Sequence, residues 1–246
     1  MTTDYNRIAE DYKKSKEAPW RLHMEQYNFF RLLGDVTGRS VLDLACGEGH
    51  YTRRLKRRGA GRIVGVDISA RMIELAVAEE RARPLGIDYV VADAAKLQLG
   101  EPFDFVVASY LLNYAQSTDE LRAMADGIAR HLKPGGRFVT INDNPAQPPA
   151  TYPTTRKYGF IKTIAAPLTE GTPITYTCFL DDGGTVQFDN YYLTPTTHLR
   201  VLTESGLRHA RWHPLQLGEE GEKEFGRAYW QDFLTAQPVM CLDAQK

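Results

Sequence analysis

The chain has 246 residues, 43% of them hydrophobic, and its 30 Lys and Arg residues nearly balance 31 Asp and Glu residues, for a formal net charge of −1. A chain of this length can bury one large core or two small ones, and we expect one α/β domain with additions. The balanced charge gives no overall electrostatic basis for binding nucleic acid or an anionic membrane, although it allows a local basic patch.

The N-terminal residues, the longest apolar runs and the cysteines limit where the protein acts and what it binds. Residues 1–17 carry acidic side chains and no apolar segment, and the longest apolar runs of the chain are strand-sized. This pattern predicts no secretory or transit peptide and no membrane span, so we expect a cytoplasmic protein. Cys46, Cys178 and Cys241 lie far apart without CxxC or Cys/His spacing, which argues against a disulfide framework and against a bound metal.

Five short runs rich in Val, Ile and Phe are typical of buried strands, and segments with helical periodicity lie between them. The strand-like runs cover residues 40–45, 62–66, 87–92, 103–109 and 136–142. Near-continuous apolar strands that alternate with helices are typical of a parallel sheet covered on both faces. The pattern therefore predicts a doubly wound α/β fold.

The pattern changes beyond Asn142. A Pro-rich connection leads to two alternating runs, residues 174–180 and 185–193, which are separated by "DDGG". Because this turn composition suits tight reversals, we expect an antiparallel hairpin. The remaining elements are expected to be a helix over 194–206, a last strand over 207–217 and a helical, aromatic tail over 224–234.

The turn in "VLDLACGEGHY" follows the first predicted strand, where open α/β sheets bind ligands. Gly47 and Gly49 allow the backbone to turn sharply and to approach a ligand closely. A dinucleotide fingerprint would need a third glycine or alanine where this chain has Thr52, and Asp43 would oppose a pyrophosphate. Asp67 ends the second strand, where a carboxylate can accept hydrogen bonds from ribose hydroxyls. The turn therefore favours a ligand with a ribose and a cation.

Five motifs follow one another along residues 40–140: "VLDLACGEG", "VGVDIS", "VADAAKL", "FDFVVASYLLNY" and "LKPGGRF". In this order they resemble the motifs of class I S-adenosylmethionine-dependent methyltransferases, whose cofactor combines an ammonium, a ribose and a sulfonium. The resemblance implies a Rossmann-like seven-stranded sheet with N-terminal lid helices and an antiparallel hairpin insertion after the fifth strand. It also implies S-adenosylmethionine as cofactor and S-adenosylhomocysteine as product.

The same resemblance implies roles for individual residues. Asp43 is expected to reach the methionine ammonium, Asp67 the ribose diol and Asp93 the exocyclic amine of adenine. The other implied cofactor contacts are Ala45, Gly47 and Gly49 beside the methionine and ribose, Ile68, Met72 and Ala94 beside adenine, and Ser109 and Tyr110 near the transferring methyl.

The N-terminal "DYNRIAEDY" resembles the lid helix of ubiquinone-type and glycine N-methyltransferase-type enzymes. This likeness implies Tyr12 over the sulfonium, where an aromatic ring stabilises a cation, and Arg21 on the carboxylate of the cofactor. The implied organisation is one methyltransferase domain over 1–246, with lid helices in 1–35, a cofactor-binding core in 36–142, a substrate-covering insertion in 143–194, and the last helix, last strand and tail in 195–246.

Each of these residues also has a structural interpretation. Taken alone, Asp43 or Asp67 would simply cap the following helix, and Met72 would be a core residue. The sequence identifies no general base. Residues expected near the reacting centre are Tyr110, Asn113, Tyr114 and Asp143, with His23, Tyr152, His198 and Trp230 on covering elements.

Many aromatic residues in the covering segments favour a small planar acceptor, although half of them would serve the core. Residues 32–69 and the tail "YWQDFLTAQPVMC" at 229–241 resemble bacterial secondary-metabolite methyltransferases, including the toxoflavin-pathway N-methyltransferases. This resemblance implies N-methylation of a small heteroaromatic metabolite. The alternatives are O-methylation of a small aromatic natural product, a non-catalytic S-adenosylmethionine-binding protein and a nicotinamide-dependent oxidoreductase. We expect a small-molecule substrate, no nucleic-acid or membrane partner, and a monomer or homodimer.

Overall fold

The computed structural model describes residues 18–180 and 182–246. Ten strands lie in these ranges: β1 (Val41–Leu44), β2 (Ile63–Asp67), β3 (Asp88–Val91), β4 (Phe103–Ser109), β5 (Leu132–Asp143), β6 (Phe160–Thr163), β7 (Pro173–Phe179), β8 (Thr185–Tyr191), β9 (Arg208–His213) and β10 (Val239–Gln245). Seven of them form one sheet in the order β3-β2-β1-β4-β5-β10-β9. The first five strands are parallel, and β10 runs antiparallel to both of its neighbours.

Helices cover this sheet. A π-helical turn (Arg21–Gln26) continues into α1 (Tyr27–Leu33), followed by α2 (His50–Arg57), α3 (Ala70–Ala82), α4 (Thr118–His131), α5 (Pro195–Glu204), α6 (Glu219–Phe225) and α7 (Arg227–Ala236). Two 3-10 segments, Leu112–Tyr114 and Pro149–Tyr158, lie between strands. Three of the helices begin at side-chain caps, because Ser69, Ser117 and Thr194 accept backbone N–H groups from the first turns of α3, α4 and α5.

The apolar strands predicted from sequence form the middle of two hydrophobic cores. Val41, Ile63 and Val107 point into one core, whereas their neighbours Leu42 and Val64 point into the other. All four residues of β1 are buried, so its near-continuous apolar character follows from burial on both faces. The strand order reverses between β1 and β4, which leaves a crevice at the carboxyl ends of these strands. The predicted doubly wound α/β fold is confirmed.

The antiparallel hairpin after the fifth strand is also confirmed. β7 pairs with β8, and the Leu180 N–H donates to the Gly184 carbonyl across the turn at 2.9 Å. β6 was not predicted and extends the hairpin to three strands by pairing with β7. It is only four residues long, and its sequence "FIKT" alternates too briefly to be distinguished from a loop.

The C-terminal part corrects one expectation. Residues 207–217 do contain β9, but they do not form the last strand, because β10 follows α6 and α7 and inserts between β5 and β9. The predicted aromatic tail is helical over Arg227–Ala236. Of the expected lid segment 1–35, residues 1–17 lie outside the described residues. Within the described ranges, no helix is long and apolar enough to cross a membrane.

Candidate functional site

A cavity of about 480 Å³ lies at the carboxyl ends of β1, β2 and β4. It is lined by the turn after β1, the residues that follow β2, β3 and β4, and the π-helical turn before α1. Eleven of the thirteen predicted cofactor residues line it: Arg21, Asp43, Ala45, Gly47, Asp67, Ile68, Met72, Asp93, Ala94, Ser109 and Tyr110. Motifs separated by up to 90 residues of sequence therefore meet at one place, as the topology of a parallel sheet requires.

The other two predicted residues are placed differently. Tyr12 lies outside the described residues. Gly49 is not among the cavity-lining residues; it precedes α2 with a φ of 80°. A Cβ at this position would collide with the Tyr89 hydroxyl, so the glycine is required by packing as well as by its left-handed backbone.

The turn after β1 is held by the carboxylate of Asp67. Gly47 N–H donates to Asp67 Oδ2 and Ser69 N–H donates to Asp67 Oδ1, both at 2.8 Å. Ala45 has a φ of 55° and Gly47 a φ of 57°, so the chain passes through two left-handed residues within three positions. For Ala45 this conformation is strained, and such strain is common where a backbone is shaped for a ligand.

Asp43 is almost completely buried, with 1% of its surface exposed. Its Oδ2 accepts a hydrogen bond from the Thr52 hydroxyl at 2.6 Å. Thr52 occupies the position at which a dinucleotide-binding fingerprint has its third glycine or alanine. In this chain its hydroxyl donates the hydrogen bond to Asp43. The hydroxyl therefore satisfies a carboxylate that would otherwise be costly to bury beside the cavity.

The opposite end of the cavity, after β2 and β3, is apolar with a polar edge. Ile68 is 69% exposed on the rim, which is unusual for an isoleucine, and the buried Met72 lies beside it in the lining. Asp93 Oδ1 accepts the Ala95 N–H at 2.9 Å, and Lys96 Nζ lies 3.6 Å from Asp93 Oδ2. This end thus offers the apolar side chains of Ile68 and Met72 next to the carboxylate of Asp93.

A buried carboxylate that sequence reasoning missed lies at the end near β1 and β4. Glu25 is 2% exposed and accepts three hydrogen bonds: from Arg21 Nη1 at 2.6 Å, from the Tyr51 hydroxyl at 2.6 Å and from the Tyr110 hydroxyl at 2.5 Å. Burial and the nearby Glu25 charge raise the pKa of Tyr51 and of Tyr110 well above the ordinary tyrosine range. The only sequence signal was the i, i+4 spacing of Arg21 and Glu25 on one helical face.

Arg21 and Tyr110 form a wall of the cavity. The guanidinium carbon of Arg21 lies 4.3 Å from the centre of the Trp20 ring and 5.3 Å from that of Tyr110. Tyr110 has a φ of 64°, a strained conformation for a residue with a Cβ. Its backbone N–H donates to Ile141 O and its hydroxyl to Glu25, so both ends of this residue are fixed.

A second, much smaller pocket lies on the other side of this wall. It shares Arg21 and Tyr110 with the large cavity, and its other lining residues are Trp20, Phe160, Tyr176, Cys178, Phe188 and Asn190. Phe160 stacks on Tyr176 with ring centres 5.9 Å apart, and Tyr176 stacks on Phe188 at 5.2 Å. The three-stranded sheet therefore presents a row of parallel aromatic faces next to the large cavity.

Another buried cluster joins the two sheets. Asp143 Oδ1 accepts hydrogen bonds from Lys162 Nζ and from the Tyr176 hydroxyl, the latter at 2.5 Å. Lys162 Nζ also donates to Gln147 Oε1 and to Pro238 O, both at 2.7 Å. Burial lowers the pKa of Lys162. Asp143 was a candidate for the reacting centre, but it lines neither of the two pockets described above.

The other residues predicted near the reacting centre fall into two groups, one at the cavity and one in structural contacts. Tyr114 lines the large cavity, whereas the others are placed in structural contacts. Asn113 Nδ2 donates to Asn190 Oδ1 at 2.8 Å, His23 Nε2 lies 3.1 Å from Glu224, and His198 Nδ1 lies 3.0 Å from Thr194 O. Tyr152 and Trp230 are buried and line neither pocket. Tyr158 stacks on Trp230 at 5.7 Å, so part of the aromatic cover is core.

The comparisons with known proteins agree with this geometry. Residues 41–136 match the family model described as "Methyltransferase domain". The chain is 33% identical over 147 residues to the demethylmenaquinone methyltransferase of Lactococcus lactis subsp. lactis (strain IL1403), a match that covers 56% of each chain. It is 28% identical over 214 residues to the N-demethylindolmycin N-methyltransferase of Streptomyces griseus, covering 84% of this chain and 88% of that protein. The chain spans about half the length of the first curated relatives that it matches.

Solved structures match over most of the chain. An S-adenosylmethionine-dependent methyltransferase from Mesorhizobium loti gives a TM-score of 0.66 at 21% identity, covering 90% of this chain and 97% of that one. The CcbJ methyltransferase of Streptomyces caelestis gives 0.66 at 19% identity, covering 99% and 97%. At such identities the likeness establishes the fold alone. The matched segment, residues 41–136, is thus similar to methyltransferase domains, and the chain shares the fold of S-adenosylmethionine-dependent methyltransferases.

Proposed function

We propose that the chain transfers a methyl group from S-adenosylmethionine to a nitrogen of a small heteroaromatic metabolite. The observation that carries this proposal is the junction of two pockets. A large cavity lined by three buried or half-buried aspartates meets an aromatic pocket, and Arg21 and Tyr110 line both. The large cavity would hold the donor, and the small aromatic pocket, of about 10 Å³, would mark the side from which the acceptor reaches the methyl group.

The cofactor would extend across the carboxyl ends of the parallel strands. Asp43 would bind the ammonium, Arg21 the carboxylate, and Asp67 the ribose hydroxyls, with Ala45 and Gly47 along the methionine and ribose. Adenine would lie on Ile68 and Met72, with Asp93 and Ala94 at its edge, and Ser109 and Tyr110 would face the methyl. The exposed face of Ile68 and the left-handed turn at Ala45 support this orientation.

The cofactor supplies a methyl group that the sulfonium has already activated. The protein then contributes chiefly alignment, which is worth about 7–11 kcal/mol for well-oriented reactants. The lone pair of a neutral amine or ring nitrogen would attack the methyl carbon while the carbon–sulfur bond breaks with S-adenosylhomocysteine as the leaving group, and any N–H proton would pass to solvent afterwards. The residues then need only hold the nitrogen in line with the sulfonium and exclude water during the attack. The fixed backbone and hydroxyl of Tyr110 suit this positioning task.

Two observations favour a planar acceptor with a nucleophilic nitrogen. Phe160, Tyr176 and Phe188 stack on one another and line the small pocket, so they place an aromatic surface next to the large cavity, against which a flat ring can pack. Some relatives, by their names, methylate nitrogen: N-demethylindolmycin N-methyltransferase and the dTDP-4-amino-2,3,4,6-tetradeoxy-D-glucose N,N-dimethyltransferase of Saccharopolyspora spinosa. The sequence resemblance to toxoflavin-pathway N-methyltransferases supports the same choice of a heteroaromatic nitrogen.

Turnover with methyl-labelled S-adenosylmethionine tests this function directly. Benzimidazole, xanthine and lumazine serve as N–H probes and catechol as an O–H probe, with the labelled atom located by NMR. We expect label on a ring nitrogen. Label on catechol oxygen alone would favour O-methylation, and S-adenosylhomocysteine binding without turnover of any probe would favour a non-catalytic binding protein. A rise in melting temperature with NAD and none with S-adenosylhomocysteine would contradict the cofactor assignment.

A further inference from the structure

We propose that Glu25 sets the charge of the cavity wall at the methionine end, so that a sulfonium cation can bind next to Arg21. This inference rests on the proposed function, because it takes the orientation of the cofactor from there. Glu25 touches no ligand in this role; it acts through Arg21 and Tyr110 and is therefore a positioning residue.

The contacts of Glu25 support this role. All three side chains that donate to its carboxylate, Arg21, Tyr51 and Tyr110, line the large cavity. Glu25 also lines the cavity and is 2% exposed, so solvent screens its charge poorly. One carboxylate therefore fixes a guanidinium and two tyrosine hydroxyls around the same space.

The sheet topology assigns this cluster to one end of the cavity. Tyr51 lies in the first turn of α2, directly after the turn that follows β1, and Tyr110 directly follows β4. Ile68 and Asp93, which form the proposed adenine end, follow β2 and β3 on the other side of β1. The cluster is consequently at the end where the methionine and the sulfonium would lie, next to the aromatic pocket.

Charge explains why a carboxylate is needed there. An arginine suited to the cofactor's carboxylate also brings a positive charge next to a site for a sulfonium cation, and the two positive charges repel each other. Glu25 forms an ion pair with Arg21, with side-chain exposures of 3% and 6%, and balances this charge within the wall. The arginine can then orient the carboxylate without penalising the sulfonium.

The affinity ratio of S-adenosylmethionine to S-adenosylhomocysteine tests the idea without any acceptor. The two ligands share ammonium, carboxylate, ribose and adenine, and they differ in the methyl group and one positive charge at sulfur. Replacing Glu25→Gln adds one net positive charge to the wall and should lower the preference for S-adenosylmethionine on the order of tenfold in calorimetric Kd values. Arg21→Met removes a positive charge and should shift the same ratio in the opposite direction.

The opposite signs separate the electrostatic role from a structural one. Loss of packing, or loss of the arginine contact to the shared carboxylate, weakens both ligands together and leaves their ratio unchanged. Tyr51→Phe removes one hydrogen bond from the same carboxylate without changing charge, so its ratio should stay within threefold of the wild-type value. Tyr158→Phe, which removes a buried hydroxyl that donates to Tyr229 O away from both pockets, is the control for folding.

The outcomes also distinguish this inference from the proposed function. If both ligands bind and neither charge variant changes the ratio, or both change it in the same direction, the role of Glu25 is wrong while the proposed function stands. If the wild-type protein binds neither ligand, the proposed function fails. If Glu25→Gln does not fold, the Arg21→Met variant alone decides, because its expected shift has the opposite sign.

Discussion

Two buried carboxylates, Glu25 and Asp143, have partners of the same chemical kinds but lie in different parts of the molecule. Each accepts hydrogen bonds from one cation and from tyrosine: Arg21, Tyr51 and Tyr110 for Glu25, and Lys162 and Tyr176 for Asp143. The partners of Glu25 all line the large cavity, whereas Tyr176 lines only the small aromatic pocket, and Asp143 and Lys162 line neither. The comparison teaches that buried ion pairs of similar chemistry can occupy different surroundings, one at the wall of the cavity and the other between two sheets.

The positions of the two clusters in the chain explain the difference. Asp143 ends β5, Lys162 lies in β6, and Pro238, which directly precedes β10, accepts a further hydrogen bond from Lys162. This cluster therefore fastens the three-stranded sheet to the central sheet. The Glu25 cluster instead joins the π-helical turn to the carboxyl ends of the central strands, where the cavity lies.

The largest expected effect is on stability. Lys162→Met leaves Asp143 buried without its cation and should lower the free energy of unfolding by about 3–5 kcal/mol in urea titrations. Lys157→Met is the matched control, since Lys157 pairs with Asp232 on the surface and should contribute about 0–1 kcal/mol. If Lys162→Met also changed the ratio of the Kd values for S-adenosylmethionine and S-adenosylhomocysteine, the two clusters would not have the separate roles given to them here.

Asp67 is a third carboxylate to set beside Glu25 and Asp143. Its hydrogen bonds come from the backbone N–H groups of Gly47 and Ser69 and not from charged side chains. Asp67→Asn should weaken S-adenosylhomocysteine binding by about 1.5–3 kcal/mol, or ten- to a hundredfold, in calorimetry, since hydrogen bonds to a charged acceptor are lost. Asp104→Asn is the control: Asp104 accepts the Ser40 N–H at 2.8 Å at the opposite end of β4, away from the cavity. Equal weakening in both variants would contradict the assignment of Asp67.

The pKa of Asp104 also predicts a pH dependence of stability. Hydrogen bonds from Ser40 and the ion pair with Lys133 lower the pKa of Asp104 to about 2, below the ordinary value of 3.8. Between these two values the unfolded chain binds more protons, so stability present above pH 3.8 is lost as the pH falls towards 2. The loss should be about 2 kcal/mol, and Asp104→Asn should lack it. If the free energy of unfolding fell equally in the wild-type protein and in Asp104→Asn between pH 5 and pH 2, this prediction would be wrong.

The smallest expected effect concerns the tyrosines. Tyr176→Phe removes one hydrogen bond to Asp143 and Tyr110→Phe one to Glu25, and each should cost about 1.5 kcal/mol of unfolding free energy because the acceptor is a carboxylate. The two variants should differ in turnover, because Tyr110 lies on the wall shared by both pockets. A larger loss of turnover, measured as kcat, in Tyr176→Phe than in Tyr110→Phe would reverse the roles given to the clusters.

The sequence predicts which residues converge where a pattern is local. Asp43 lies in β1, Gly47 in the turn after it and Asp67 at the end of β2, and parallel strands bring their carboxyl ends together, so eleven of the predicted residues line one cavity. Prediction from sequence failed for Glu25, whose partners Tyr51 and Tyr110 lie 26 and 85 residues away along the chain. A glutamate on a helical face looks like a solvent-exposed residue until the packing of that helix is known.

The same reasoning applies to the C-terminal strands. β9 lies within the segment expected to be the last strand, but β10 returns after two helices and inserts beside β5. Its seven residues carry no alternation that distinguishes a strand from a loop, and its place in the sheet depends on which edge of β5 is open. Strand pairing at a distance is decided by the assembled sheet and not by local propensity.

The amino-acid sequence by itself determined the alternation of strands and helices, the turn after the first strand and the order of five motifs, because each depends on neighbouring residues. Tertiary structure alone decided which charges became buried, because Glu25 acquires its tyrosine partners, and Asp143 its lysine, only when distant elements pack. Burial makes such pairing obligatory, since an unpaired charge away from water is too costly to keep.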